Sequence, residues 1–156
     1  MLNKMRHKLK LYLDTSVLSA LFDERNPERK SLTESFFSEV KDFEIFISDI
    51  TLAEIDNTPD EELKTKMKEK ITNFSNLTSS NEIEELVKDI IQKGAINESY
   101  SEDAYHIAIA IINDMDFLLS WNFRHIVRKK TRDIVRMICT LNNLRQIEII
   151  TPAELL

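Results

Sequence analysis

Apolar positions come in short bursts divided by polar breaks, and their spacing changes from one burst to the next. Leu9 to Leu13 is an apolar run stopped by Asp14, Thr15 and Ser16, after which Val17, Leu18, Leu21 and Phe22 fall at helical spacing. A buried strand running into a capped helix fits this pattern. Asn26 and Pro27 break the chain, and Pro27, whose missing N–H is no loss in a first turn, opens a second helix carrying Leu32, Phe36, Phe37 and Val40. Glu44 to Ser48 reads as a second strand. Asp49 then caps a helix with Leu52 and Ile55 that carries Glu54 and is interrupted at Thr58 and Pro59. Two amphipathic helices follow, from about Glu61 to Phe74 and from Asn81 to Gln92, the second ended by Gly94. Ser101 offers an N-cap to the apolar helix Ala104 to Ile112, with Glu102 and Asp103 in its first turn, where the helix dipole favours negative charge. Asn113 and Asp114 close it. Phe117 to Leu119 is a third strand, and the basic segment after Trp121 and Asn122 is a helix with Ile134, Val135, Ile138 and Leu141 on one face. Ile147 to Ile150 is a final strand ended by Thr151 and Pro152.

Strands separated by helices imply parallel crossovers. The expected class is α/β, a three-layer α/β/α sandwich with a mostly parallel central sheet. At 156 residues, with no repeat, low-complexity tract or linker, the chain reads as a single domain over 1–156.

Composition narrows the function. The longest uninterrupted apolar run, Ile107 to Ile112, is far too short to span a bilayer. Lys4, Arg6, Lys8 and Lys10 precede only Leu11 to Leu13 before Asp14, too little for a signal-peptide core, so the expected setting is the cytoplasm, away from membranes. Cys139 is the sole cysteine, which excludes an internal disulfide and a cysteine-rich zinc site and leaves it as a packing residue. Gly94 is the sole glycine, so neither GxGxxG nor GxxxxGK[ST] can be written and a nucleotide cofactor is not expected. The net charge of -6 opposes loose nucleic-acid binding. It is unevenly spread, however: Arg124, Arg128, Lys129, Lys130, Arg132 and Arg136 face the single acid Asp133 within one segment, while acids gather from Glu54 to Glu62.

Open sheets bind ligands at the carboxyl ends of their strands. Asp14 lies at one such end, Asn122 just past another, Asp103 at a helix start, and Glu54 in the segment leaving the second strand. Gathered acids repel one another and lose hydration, so they persist mainly where a cation neutralises them. Carboxylate and amide oxygens suit magnesium, calcium or manganese, whereas zinc or copper calls for histidine and cysteine, of which the chain has three and one. Such an ion polarises a phosphoryl oxygen and lowers the pKa of a bound water, so phosphodiester hydrolysis fits. Each residue alone has a plainer reading. Asp14 can be a cap, Asp103 a dipole partner, Glu54 a solvated helix residue and Asn122 a turn residue. His106, three residues after Asp103, reads as a packed supporting residue and not a ligand, and His125 as a continuation of the basic face. Arg124, Arg128, Lys129, Lys130 and Arg132 are candidates for RNA binding beside Asn122, against the commoner reading of a solvated helix face. Tyr105 and Trp121 suit stacking on a base or simple packing.

Together these residues resemble the PIN-domain family, in particular the VapC-like ribonuclease toxins of toxin–antitoxin pairs. Tyr12 to Leu18, Ser48 through Ile55, Glu102 to Ala108 and Leu118 to Phe123 carry the resemblance, which covers nearly the whole chain. It implies a magnesium or manganese site held by Asp14, Glu54 and Asp103, with Asn122 assisting and Thr15 or Ser16 orienting the first acid or a bound water. It implies an endoribonuclease in which a metal-activated water attacks phosphorus, a homodimer, and a cognate antitoxin on the acidic edge or a nearby apolar groove. One departure stands out: many members have a fourth acid where this chain has Asn122, which keeps a carbonyl oxygen and loses a charge. Asp116 begins that strand at its other end and is a poor replacement. Two other classes compete. One is a catalytically silent RNA-binding or partner-binding module of the same fold. The other is a phosphohydrolase of the haloacid-dehalogenase kind, which requires a second aspartate at the position of Ser16.

Overall fold

The computed structural model describes residues 8–156, so Lys4 and Arg6 of the basic amino terminus lie outside the described residues. The strands are β1 (Leu9–Leu13), β2 (Phe43–Ser48), β3 (Ser75–Leu77), β4 (Phe117–Leu119) and β5 (Glu148–Ile150). The helices are α1 (Thr15–Ala20), α2 (Pro27–Glu39), α3 (Asp49–Asp56), α4 (Glu61–Lys70), α5 (Asn81–Gln92), α6 (Ser101–Ile112) and α7 (Lys129–Leu141).

All four strand pairings are parallel, in the order β3-β2-β1-β4-β5. Period-two alternation sends neighbouring side chains to opposite faces. Leu11, Leu13, Ile47 and Leu119 therefore pack with Val17, Phe36 and Met67 on one side of the sheet. Tyr12, Leu118 and Ile149 pack with Ile90, Ile107 and Ile138 on the other. This is the expected α/β/α sandwich. Its central strand is apolar apart from Lys10, and its buried end, Leu11–Leu13, is covered on both faces.

The chain runs outward from β1 through β2 to β3, then returns by way of α6 to place β4 on the other flank of β1. Strand order reverses between β1 and β4, and their carboxyl ends open the crevice in which such sheets hold ligands. α6 reaches that edge with its amino end. It is buried almost all round, at Ala104 and from His106 to Ile111, with roughly 1.5–3 kcal/mol gained for each fully buried isoleucine.

Several boundaries differ from the sequence reading. β3 was not expected, so Phe117–Leu119 is the fourth strand of five. α4 stops at Lys70 and not Phe74, and α3 and α6 are preceded by Ser48 and Tyr100, neither of which caps with its side chain. The basic segment is not helical from Arg124. Ile126 and Val127 donate their backbone N–H to the Asn122 carbonyl, curling that stretch into turns, and α7 begins only at Lys129. Leu141, expected on its buried face, is 67% exposed.

Candidate active site

Asp14 follows the last residue of β1 and is 3% exposed. Its Oδ1 accepts from the Ser16 backbone N–H (3.1 Å), which caps α1, and from the Ser16 hydroxyl (2.5 Å). Its Oδ2 accepts from the Ser120 hydroxyl (2.5 Å). Capping and site roles thus coincide in one carboxylate. Thr15 does not share this work: its Oγ1 is buried and has no hydrogen-bond partner.

Ser120 begins a bridge. The Asn122 backbone N–H donates to Ser120 Oγ (2.9 Å), and the Asn122 carboxamide Nδ2 donates to Asp103 Oδ2 (3.3 Å). Two residues leaving β4 therefore tie Asp14 to Asp103 across the strand-order switch. The orientation of Asn122 is fixed, because the His125 backbone N–H needs Oδ1 as its acceptor (3.0 Å), which turns the NH2 toward Asp103. The carbonyl oxygen of Asn122, expected to assist the three acids, is thus engaged with its own loop, and its amide reaches Asp103.

Glu54, on α3, meets α6 through a hydrogen bond between Oε1 and His106 Nε2 (2.6 Å). His106 is 2% exposed. Its Nδ1 pairs with the buried Tyr12 hydroxyl (2.6 Å), which pairs in turn with Ser48 Oγ (2.7 Å). That engagement is why Ser48 does not cap α3. Burial by itself would discharge the imidazole, but Tyr12, Glu54 and the more distant Asp14 hold it protonated well above its ordinary value.

The acids feel one another. Burial pushes the Asp14 carboxyl up, His106 and the two serine hydroxyls draw it down, and Glu54 pushes it up again. Burial also raises Asp103, opposed by His106 and His125 and reinforced by Asp14 and Glu54. Hard oxygen donors that repel each other in a partly dehydrated crevice are what a divalent cation relieves. Among the described residues, no three histidine, cysteine or acidic groups form a ready metal-binding set. One reason is visible at Glu54, whose Oε1 is committed to His106.

The basic segment divides. Lys129 pairs with Asp133, and Arg128 donates to Thr131 Oγ1 and the Ala95 carbonyl. Arg132 lines a separate cleft beside β5. Arg124 and Lys130 are exposed and make no ion pair among the described residues. Tyr105 donates its hydroxyl to Glu84, while Trp121 is buried, donates Nε1 to Thr33, and lies beneath Arg29. Cys139 is buried in the core. Ser120 and Tyr12 stand in the stretches that carry the family resemblance, but a serine after a strand and a tyrosine within one carry no sign of their distant partners, so neither has an individual role legible in the sequence.

The family model for the PIN domain matches residues 11–127, a stretch that holds Asp14, Glu54, Asp103 and Asn122. The chain belongs to the PIN domain family. Among solved structures it is similar to VapC20 of Mycobacterium tuberculosis, a toxin that cleaves the sarcin-ricin loop. The TM-score is 0.59 at 13% identity, over 74% of this chain and 92% of that one. It is similar also to VapBC2 of Rickettsia felis bound to a DNA fragment from its promoter (TM-score 0.55, 16% identity, 90% and 97% coverage). VapBC-1 of nontypeable Haemophilus influenzae gives a TM-score of 0.56 at 14% identity over 92% and 98%. At these identities the likeness is one of fold. No curated protein sequence matches. Among the described residues no helix is long and apolar enough to cross a membrane.

Proposed function

We propose that this chain is a divalent-metal-dependent endoribonuclease and the cytoplasmic toxin of a toxin–antitoxin pair. Asp14, Glu54 and Asp103 are its ligands for Mg2+ or Mn2+. The observation that carries this reading is the tie between Asp14 and Asp103 through Ser120 and Asn122 at the switch point, with Glu54 within electrostatic reach of both. When bound there, a divalent ion supplies Lewis-acid activation of the phosphoryl group and of a water nucleophile.

The chain's own residues do the rest. Ser16 and Ser120 fix both Asp14 oxygens, Asn122 fixes Asp103, and His106 holds Glu54 at the rim. Arg124 and Lys130 offer positive charge to the RNA backbone. The antitoxin and the second copy of a homodimer belong to the same proposal, and VapBC complexes are among the fold's relatives.

The test is incubation of the protein with an RNA pool in Mg2+, Mn2+ or EDTA. Cleavage in either metal and none in EDTA is expected. Loss of an outer-shell partner costs about 10–100-fold in such sites, so Asp103→Asn should reduce cleavage at least about 100-fold while leaving the circular dichroism spectrum intact. A parent protein that cuts nothing in either metal would refute the nuclease reading. It would favour a silent binding module, in which Glu54 stays on His106.

A further inference from the structure

Beside the acidic crevice lies a second cleft, of about 760 Å³, within the range of small-ligand sites (roughly 300–1,000 Å3). Its walls are polar on both sides, with Asn97, Glu98 and Ser99 facing His125, Arg128 and Lys130. The two walls are pinned together. Arg128 Nη2 donates to the Ala95 carbonyl (2.9 Å), Arg128 Nε to Thr131 Oγ1 (2.8 Å), and the Thr131 hydroxyl to the His125 carbonyl (2.5 Å). Those bonds hold the Arg128 guanidinium by two of its five N–H groups, whereas Lys130 makes no ion pair among the described residues and is the uncommitted cation of the lining.

His125 is stacked against Tyr100, with ring centroids 4.0 Å apart and planes 27° from parallel, and Tyr100 is 49% exposed. The same His125 joins the cleft to the acids. Its backbone N–H donates to Asn122 Oδ1, and Asn122 Nδ2 donates to Asp103, so a single side chain stands between this wall and the carboxylate.

We propose that the cleft is a subsite for one nucleotide of single-stranded RNA, the one that flanks the bond to be cut. The base continues the Tyr100–His125 stack, its phosphate meets Lys130, and Asn97, Ser99 and the Glu98 carboxylate offer polar partners to ribose hydroxyls or a base edge. The inference rests on the nuclease reading for the word "cut", and on the stack, the cation and the adjacency for the rest. A paired base cannot reach such a platform, because stacking on side chains requires a base splayed out of its helix.

Binding is measured by fluorescence anisotropy in EDTA, where a metal-dependent nuclease is silent, with a labelled single-stranded oligouridylate and a blunt RNA duplex as probes. The parent should prefer the single strand. Tyr100→Ala should weaken single-strand binding about tenfold and leave the duplex little changed, while Tyr100→Phe retains the parent affinity. Lys130→Ala should weaken binding and lower the slope of log affinity against log salt by about 0.7. Unchanged thermal unfolding of each variant excludes misfolding as the cause. A parent that favours the duplex or ignores RNA, as it would if the cleft served a protein partner, overturns the proposal, and so do variants that bind like the parent. A parent that binds in the expected pattern yet cuts no RNA with Mg2+ overturns the nuclease reading alone. One that cuts RNA without regard to Tyr100 and Lys130 in binding overturns the subsite alone.

Discussion

At Asp14 two demands meet in one carboxylate, since the same oxygens cap a helix and face other acids from inside a buried crevice. Burial disfavours its ionised form, so the metal-free protein is held back at neutral pH by its own site. Asp14→Asn should therefore raise the unfolding temperature in EDTA and, if the proposed metal site is correct, abolish the further rise expected of the parent in Mg2+, since a ligand stabilises only the state that binds it. Thermal melts with and without metal check both halves, and an Asn variant that melts lower than the parent in EDTA would contradict this. Asp116 shows the opposite sign. Burial pushes its carboxyl up, but the Lys10 backbone N–H (2.7 Å) and the Arg145 guanidinium more than offset it and hold it below the ordinary range. The folded state then favours the ionised form more than the unfolded chain does. That stability is complete above the ordinary aspartate pKa of about 3.9 and is lost as pH falls through the lower folded value. Asp116→Asn should melt below the parent at neutral pH, with the gap closing in acid; a gap independent of pH would exclude this account.

Helix ends show how a chain with one glycine makes three tight stops. α5, α6 and α7 each finish with a left-handed residue, Gly94 (φ 84°), Asp114 (φ 55°) and Asn143 (φ 53°). In each case the next N–H reaches back across the turn, Ala95 to Ile90, Met115 to Ala110 and Leu144 to Cys139, which is the Schellman pattern. Asparagine and aspartate enter this region more readily than other side chains, so glycine is dispensable at two of the three ends. A Cβ added at Gly94 meets nothing within 4 Å. Gly94→Ala should accordingly lose about 1 kcal/mol through backbone strain alone, and Asn143→Gly should gain a few tenths to ~1 kcal/mol, both read from urea unfolding. Gly94 and Asp114 were legible as stops in the sequence, and β1, β2 and β4 were legible because strands covered on both faces are written as apolar runs. β3 was not. Ser75 and Asn76 are exposed on an edge strand, and the strand is specified by pairing with β2, not by any pattern of its own. The acids could be placed on one sheet edge from their elements. Their anchors could not, because the meaning of Ser120 is set by a residue 106 positions earlier.

Across the whole molecule, protection should be graded from the seam outward. Most of α6 and the Leu11–Leu13 end of β1 are buried, while β3 holds one flank with three residues of which two are exposed. Amide hydrogen exchange should find the slowest amides in α6 and β1, opening only with global unfolding, and the fastest strand amides in β3. The reverse order would show that the sheet does not hold together from its middle. That middle is assembled from parts made at very different times. Ser120 leaves the ribosome 106 residues after Asp14, and Asn122 later still. A nascent polypeptide therefore carries the first acid for a long stretch of synthesis without the bridge that sets it, and the crevice is complete only once β4 has left the exit tunnel and closed against β1.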